Sequence, residues 1–354
     1  MASNPSERTI CARLMNDRFA LCLPREEFDE KRVADSVKEL QCEFTGNSFH
    51  LHTYMGVYEI RDRDEAVSIM VDKANIAADT IKNNYDCCVA YYDEHLLEIS
   101  IEQRRLLGEF EPALQNDEFV MYLQPQVKRD GAAKGAEALV RWVHPSRGIL
   151  TPYAFIDILE NAGLIYKLDL YIWEKAAQKL AEWKEKGYGS YHISVNISTK
   201  DFYIIDIYET FTGLINKYGI AASNLHLEIT ETTLMTDFEK NMNIIHKLQG
   251  VGFRVEIDDF GSGYSSLNML KDISADVLKI DMGFLRKSEN EVKGQDILES
   301  IITLAGKIGM DVITEGVETK KQLDMLTMMG CHEFQGYYFS KPVPVSEFEE
   351  KYLV

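Results

Sequence analysis

A series of short apolar runs in this chain each place a polar side chain at or near their C-terminal end. Glu137 lies in Ala136–Trp142, Asn196 in His192–Ile197, Glu228 in Leu225–Ile229 and Lys279 in Val277–Ile280. Asp258 and Asp259 follow Phe253–Ile257, Glu315 follows Asp311–Ile313, and Gln335 lies in Glu333–Phe339. Taken alone, Asp258-Asp259 ahead of Gly261 reads as a turn, because Asp and Gly are turn residues. Gathered on one rim, the acids mean something else. Buried unpaired carboxylates are costly, and Lys279 is the single base in the set, so core salt bridges leave most of the charge uncompensated. Oxygen donors of this kind select Mg²⁺ or Mn²⁺ over zinc. The residues therefore point to hard divalent cations, with structural ion pairing as the competing reading.

The elements that must bring these residues together begin near Glu118. Apolar runs alternate there with helical segments: Tyr153–Asn161, Leu168–Lys186, Ile204–Tyr218, Phe238–Leu248, Tyr264–Leu270, Gly294–Ile308 and Lys320–Met329. Such a βα repeat implies a parallel sheet in an α/β fold. About eight strands in roughly 240 residues fit a (β/α)8 barrel, whose strand C-termini converge on one face. A doubly wound open sheet is the alternative. The first run, Phe119–Val127, leads into Arg129-Asp130-Gly131, a hairpin-like turn that makes this strand antiparallel. Residues 1–98 form a separate, smaller α/β region. Its expected strands are Arg18–Pro24, Phe49–Ile60 and Cys87–Tyr92, and its expected helices are Glu26–Leu40 and Asp64–Asn83. Residues 99–117 read as a connecting helix that Pro112 should kink or restart, and residues 118–354 as the barrel.

Composition narrows the function. The 354 residues hold 38 basic and 57 acidic side chains, a net charge of −19. That argues against a bulk nucleic-acid binder, which needs a basic face, but a bound cation can locally invert the field for a phosphate ester. No apolar run approaches the about 18 residues of a transmembrane helix, and the N-terminus has no signal core. The six cysteines form no CxxC pair, so reduced thiols in a cytoplasmic protein are expected; any membrane or sensor segment would belong to a longer parent. The eight histidines are spread along the chain, and a His-ligated zinc site is not expected.

The barrel runs resemble the EAL domain, the cyclic di-GMP phosphodiesterase family, from about residue 103 to 354. The matching stretches are Gln124-Pro125, Glu137-Ala138-Leu139-Val140-Arg141-Trp142, Val195-Asn196-Ile197-Ser198 and Glu228-Ile229-Thr230-Glu231-Thr232. Asp258-Asp259-Phe260-Gly261-Ser262-Gly263-Tyr264, Leu278-Lys279-Ile280-Asp281, Glu315-Gly316-Val317-Glu318-Thr319 and Gln335-Gly336-Tyr337 follow in order. The resemblance implies a two-metal hydrolase opening cyclic di-GMP, a bacterial second messenger, to linear pGpG. Glu137, Asn196, Glu228 and Asp258 would hold one Mg²⁺ or Mn²⁺; Asp258, Asp259 and Glu315 would hold the other, with Asp258 bridging. Lys279, Glu315 and Glu137 would be catalytic, Lys279 through hydrogen bonding to the attacking water. Gln124, Leu139, Arg141 and Gln335 would contact substrate, and Trp142, Tyr337 and Tyr338 would mainly pack. Glu231 and Ser262 would set the loop after Asp259, Glu318 would brace the rim, and a homodimer through the barrel is implied. A silent cyclic di-GMP receptor is the alternative, but no expected ligand is lost.

Ahead of the barrel, Cys11-Ala12-Arg13-Leu14-Met15-Asn16-Asp17-Arg18-Phe19-Ala20-Leu21 resembles the core of a GGDEF (diguanylate cyclase) domain. Met15-Asn16-Asp17-Arg18-Phe19 replaces the signature, both glycines are gone and Arg18 stands for a metal-binding acid. The first half of that domain does not precede it in this chain, which suggests a truncated or unusual start. Cyclase activity is not expected.

Overall fold

A computed structural model describes residues 8–15, 17–31, 53–82, 88–260, 273–281, 283 and 291–353. The chain divides into two compact units, Met1–Gly108 and Glu109–Val354. The division falls inside the helix Glu94–Gln115, whose hydrogen bonding continues past Pro112 rather than restarting there. Pro112 lies close to the helix end, where little of the helix remains to be disturbed.

In the first unit, strands β1 (Ile10–Met15) and β2 (Arg18–Cys22) pair antiparallel, with Cys11 opposite Leu21. β3 (Met55–Val57), the helix Val67–Asp79 and β4 (Val89–Tyr91) form a βαβ unit with parallel strands. A Cβ on Gly56 would stand 1.8 Å from the Ala74 carbonyl oxygen, so only glycine lets the alanine-rich face of that helix approach β3 so closely. These elements are shorter than their apolar runs suggested. The helix ends where the Thr80 hydroxyl donates to the Ala77 carbonyl. Most of the expected helix Glu26–Leu40 and the start of Phe49–Ile60 lie outside the described residues, as does Tyr264–Leu270.

The second unit is a closed barrel. β5 (Phe119–Lys128) and β6 (Ala133–His144) pair antiparallel through a turn in which Gly131 has φ +85°. β7 (Gly148–Leu150) extends β6 at its edge. From β6 the parallel ring runs through β8 (His192–Ile197), β9 (Leu225–Thr230), β10 (Val255–Asp258), β11 (Val277–Asp281), β12 (Asp311–Glu315) and β13 (Glu333–Phe334). β13 then pairs antiparallel with β5, which closes eight strands. β14 (Val343–Pro344) adds to β5 outside the ring. The barrel and its antiparallel first strand match the sequence reading, and the open sheet is excluded. The last run is shorter than expected, because the backbone turns away after Phe334.

Local signals set the outer helices. Asp206 accepts from the Glu209 amide to start Ile207–Tyr218, and Gly219 ends it at φ +62°. Thr319 and Gln322 form a reciprocal cap on Lys320–Met328. Trp142 packs as expected, buried against Phe119 and Phe155. Tyr337 and Tyr338 are exposed, although the Tyr338 ring meets Phe339 edge-on at 5.1 Å. Among the described residues no helix is long and apolar enough to cross a membrane.

Candidate active site

Strand parity aims the polar residues inward. Side chains alternate faces along a strand, so Glu228, Asp258, Lys279 and Glu315 enter the barrel from the four adjacent strands β9–β12, and Glu137 from β6 across β8, all near one end. Lys279 is 0 % exposed and is the hub. Its Nζ lies 2.8 Å from Glu315 Oε1, 3.0 Å from Glu228 Oε2, 3.3 Å from Glu137 Oε2 and 3.3 Å from Asp258 Oδ1. Glu137 also accepts from Asn196 Nδ2 at 3.1 Å and from Gln335 Nε2 at 2.6 Å. Gln335 Nε2 lies 3.3 Å from Gln124 Oε1, and Gln124 donates to the Ser340 carbonyl.

One ammonium does not satisfy this set. Glu228 is fully buried, yet neither carboxylate oxygen accepts a hydrogen bond; Lys279 meets Oε2 only as an ion pair at 3.0 Å. Burial and the Glu137 charge push the Glu228 carboxyl well above the ordinary range, against Lys279. Burial pushes Asp258 up as well, with Lys279 opposing and Glu137 adding. Burial, with Asp258 and Glu137, pushes Glu315 up to about 8 despite Lys279. Glu137 goes the other way: burial works against its charge, but Lys279, Gln335 and Asn196 hold it below the usual range. Lys279 loses from burial and gains more from its four carboxylates, so it stays charged. A cluster of oxygen donors this rich in uncompensated charge suits divalent cations.

The other predicted residues fall around this hub. Asp259 is exposed and stands outside the Lys279 contacts; its φ of +55° puts it in the left-handed region, and its amide donates to Asp258 Oδ1 at 2.9 Å. The turn reading of Asp258-Asp259 is thus correct locally, and the turn presents Asp258 to the hub. The Arg141 guanidinium lies 5.5 Å over the Tyr122 ring, with Nη1 donating to the Val140 carbonyl. Leu139 is half-buried on the same strand. Glu231 opens the helix Glu231–Thr236 directly after β9, and Glu318 is exposed just before the Thr319 cap. Ser262 lies outside the described residues. Gly336 is fixed by contact: a Cβ there would come within 2.2 Å of the Val317 carbonyl oxygen. Gly336→Ala should cost about 3 kcal/mol in urea unfolding, the upper end of overpacking effects, because backbone cannot yield as a side chain does.

Sequence reasoning missed the layer beneath. Stepping back two residues from Asp258 gives Glu256, and from Glu228 gives His226; stepping back four from Asn196 gives His192. That period of two was the available signal. His192 and His226 stack with centroids 3.8 Å apart and planes 5° apart. His226 Nδ1 meets Glu256 Oε1 at 2.6 Å, and His192 Nε2 meets Gln126 Oε1 at 2.7 Å. Burial, and then the neighbouring His226, hold His192 well below its ordinary range, so it is neutral.

The family model of the EAL domain matches residues 108–342, and the chain belongs to that family. The bifunctional diguanylate cyclase/cyclic di-GMP phosphodiesterase MucR of Pseudomonas aeruginosa is 30% identical over 98% of this chain and 51% of its own length. The cyclic di-GMP phosphodiesterase PdeR of Escherichia coli is 33% identical over 68% of this chain and 36% of its own. The chain thus spans about half, or less, of these curated relatives. Among solved structures, the PaMucR phosphodiesterase in its c-di-GMP complex superimposes with a TM-score of 0.66 at 33% identity, covering 69% of this chain and 99% of that one.

Proposed function

We propose that this chain hydrolyses cyclic di-GMP to linear pGpG with two Mg²⁺ or Mn²⁺ ions. The observation that carries the reading is the convergence of Glu137, Glu228, Asp258 and Glu315 on one buried lysine at the barrel rim. Family membership and the likeness to a c-di-GMP-bound phosphodiesterase support it. Glu137, Asn196, Glu228 and Asp258 would hold one cation, and Asp258, Asp259 and Glu315 would hold the other. When bound, the cations neutralise the phosphodiester and lower the pKa of a water. Lys279, kept protonated, donates from Nζ to that water and favours its ionised form. Arg141 has donors left for a phosphate oxygen, which its planar fork suits. Gln124, Gln335 and Leu139 line the approach of the substrate. Phosphorus gains the water oxygen, and the ribose oxygen leaves with a proton. Glu231 and Ser262 would set the loop after Asp259, and Glu318 would brace the rim. The test is incubation with cyclic di-GMP and Mg²⁺ and identification of products by mass. Folded protein that binds the dinucleotide without forming pGpG would instead be a silent receptor.

Proton and metal compete at Glu315. A carboxyl whose pKa is raised on folding contributes most stability below its unfolded value and loses it as pH rises towards the folded one. Metal-free protein should therefore weaken from about pH 4.5 to about 8, the window set by Glu315. The rise in melting temperature on adding Mg²⁺ should be larger at pH 8 than at pH 6, as thermal scans will show. Equal shifts at both would remove Glu315 from the metal set.

Residues 118–354 form the catalytic barrel, 99–117 the connector and 1–98 a degenerate GGDEF-like region; the MucR match, extending over 98% of the chain, supports the last. The barrel acts as a homodimer, so activity per chain rises with protein concentration.

A further inference from the structure

We propose that His192, His226 and Glu256 form a second metal site, for one ion of the zinc class, on the floor of the barrel opposite the acidic rim. Their ligand atoms lie within 4.8 Å of one another, and all three residues are buried. Two further observations point to a ligand. Glu256 is fully buried, and its Oε2 has no hydrogen-bond partner, which is costly for a carboxylate. The three residues also line a cavity of about 440 Å³ bounded by Lys134, Tyr191, Ser223 and Arg254, which admits an ion and the waters that complete its shell.

The donor types separate this site from the rim. Two imidazoles and one carboxylate match Zn²⁺ or its borderline-soft neighbours; Mg²⁺ prefers oxygen alone. The ion would take the place of the proton between His226 Nδ1 and Glu256 Oε1, now 2.6 Å apart. His192 Nδ1 takes part in no hydrogen bond among the described residues, since Nε2 is the atom facing Gln126. Gly135 makes the space: a Cβ there would stand 2.4 Å from the His192 ring. Parallel rings cannot both aim an in-plane lone pair at one ion, so binding requires one ring to turn into the cavity.

Among the described residues the rim contains no histidine, and six of the eight histidines lie outside both sites, so the assigned ring signals of His192 and His226 report the floor. With the full chain in excess Mg²⁺, Zn²⁺ titration should shift the ring resonances of His192 and His226 together and saturate at one ion. Glu256→Gln should weaken that binding by at least roughly a hundredfold, because losing one ligand of three exceeds the 10–100-fold cost of losing a partner behind a ligand. Zn²⁺ uptake that leaves both rings unshifted in the parent protein overturns the proposal, as does no uptake. Should Glu256→Gln fail to fold, His226→Gln and the parent ring shifts decide the matter. Unaltered affinity in a folded variant also overturns it.

Discussion

Lys279→Met should destabilise the metal-free protein by about 3–5 kcal/mol at pH 8, the range for removing one partner from a buried ion pair. Lys279 is the cation that four carboxylates share within 3.3 Å. Without it they face one another inside a low-dielectric barrel, and protonation is the way left to relieve them. Their pKa values then rise further, so the penalty should shrink as pH falls towards 5 and grow again towards 8. Urea unfolding in a chelating buffer at the two pH values gives the measurement. Mg²⁺ should stabilise the variant more than the parent, because the added charge replaces the missing ammonium. Hydrolysis should still fall by about 10²–10³-fold, in line with loss of a positioned donor to the attacking water. A variant as stable as its parent at pH 8 without metal would mean that the carboxylates are not charged there.

Glu137→Ala should lower cyclic di-GMP hydrolysis by about a thousandfold, equivalent to roughly 4 kcal/mol of transition-state stabilisation. Glu137 accepts from Asn196 and Gln335 as well as Lys279, so it orders the side chains on both sides of it. The chain should remain folded. Its removal ends its own repulsion of Glu228, Asp258 and Glu315, and Gln335 keeps Gln124 as an acceptor. Product formation and far-ultraviolet circular dichroism, measured on one preparation, separate the two effects. Undiminished hydrolysis would refute the metal assignment.

The contrast between the rim and the floor explains how much of the site was legible. Rim residues end apolar strand runs, and a parallel barrel gathers strand C-termini on one face whatever the detailed packing. Glu137, Asn196, Glu228, Asp258, Lys279, Glu315 and Gln335 could therefore be grouped before any coordinates. His192, His226 and Glu256 begin their strands, where no rule of placement singles them out. Spread along the sequence, they looked unrelated; the register of β8, β9 and β10 brings them together. Tyr337 and Tyr338 show the converse, since aromatic type suggested packing and the turn after β13 leaves them exposed.

What the sequence determined by itself was the barrel, its antiparallel first strand and the acids of its rim, because these follow from alternation along each strand and from turn residues between them. Tertiary structure decided how the charge is shared. Strand tilt brings Lys279 to four carboxylates at once, leaves Glu228 buried without a hydrogen bond, and turns Asp259 away at φ +55°. Those distances arise between strands far apart in the chain, where the spacing of residues along the sequence carries no measure of separation in space.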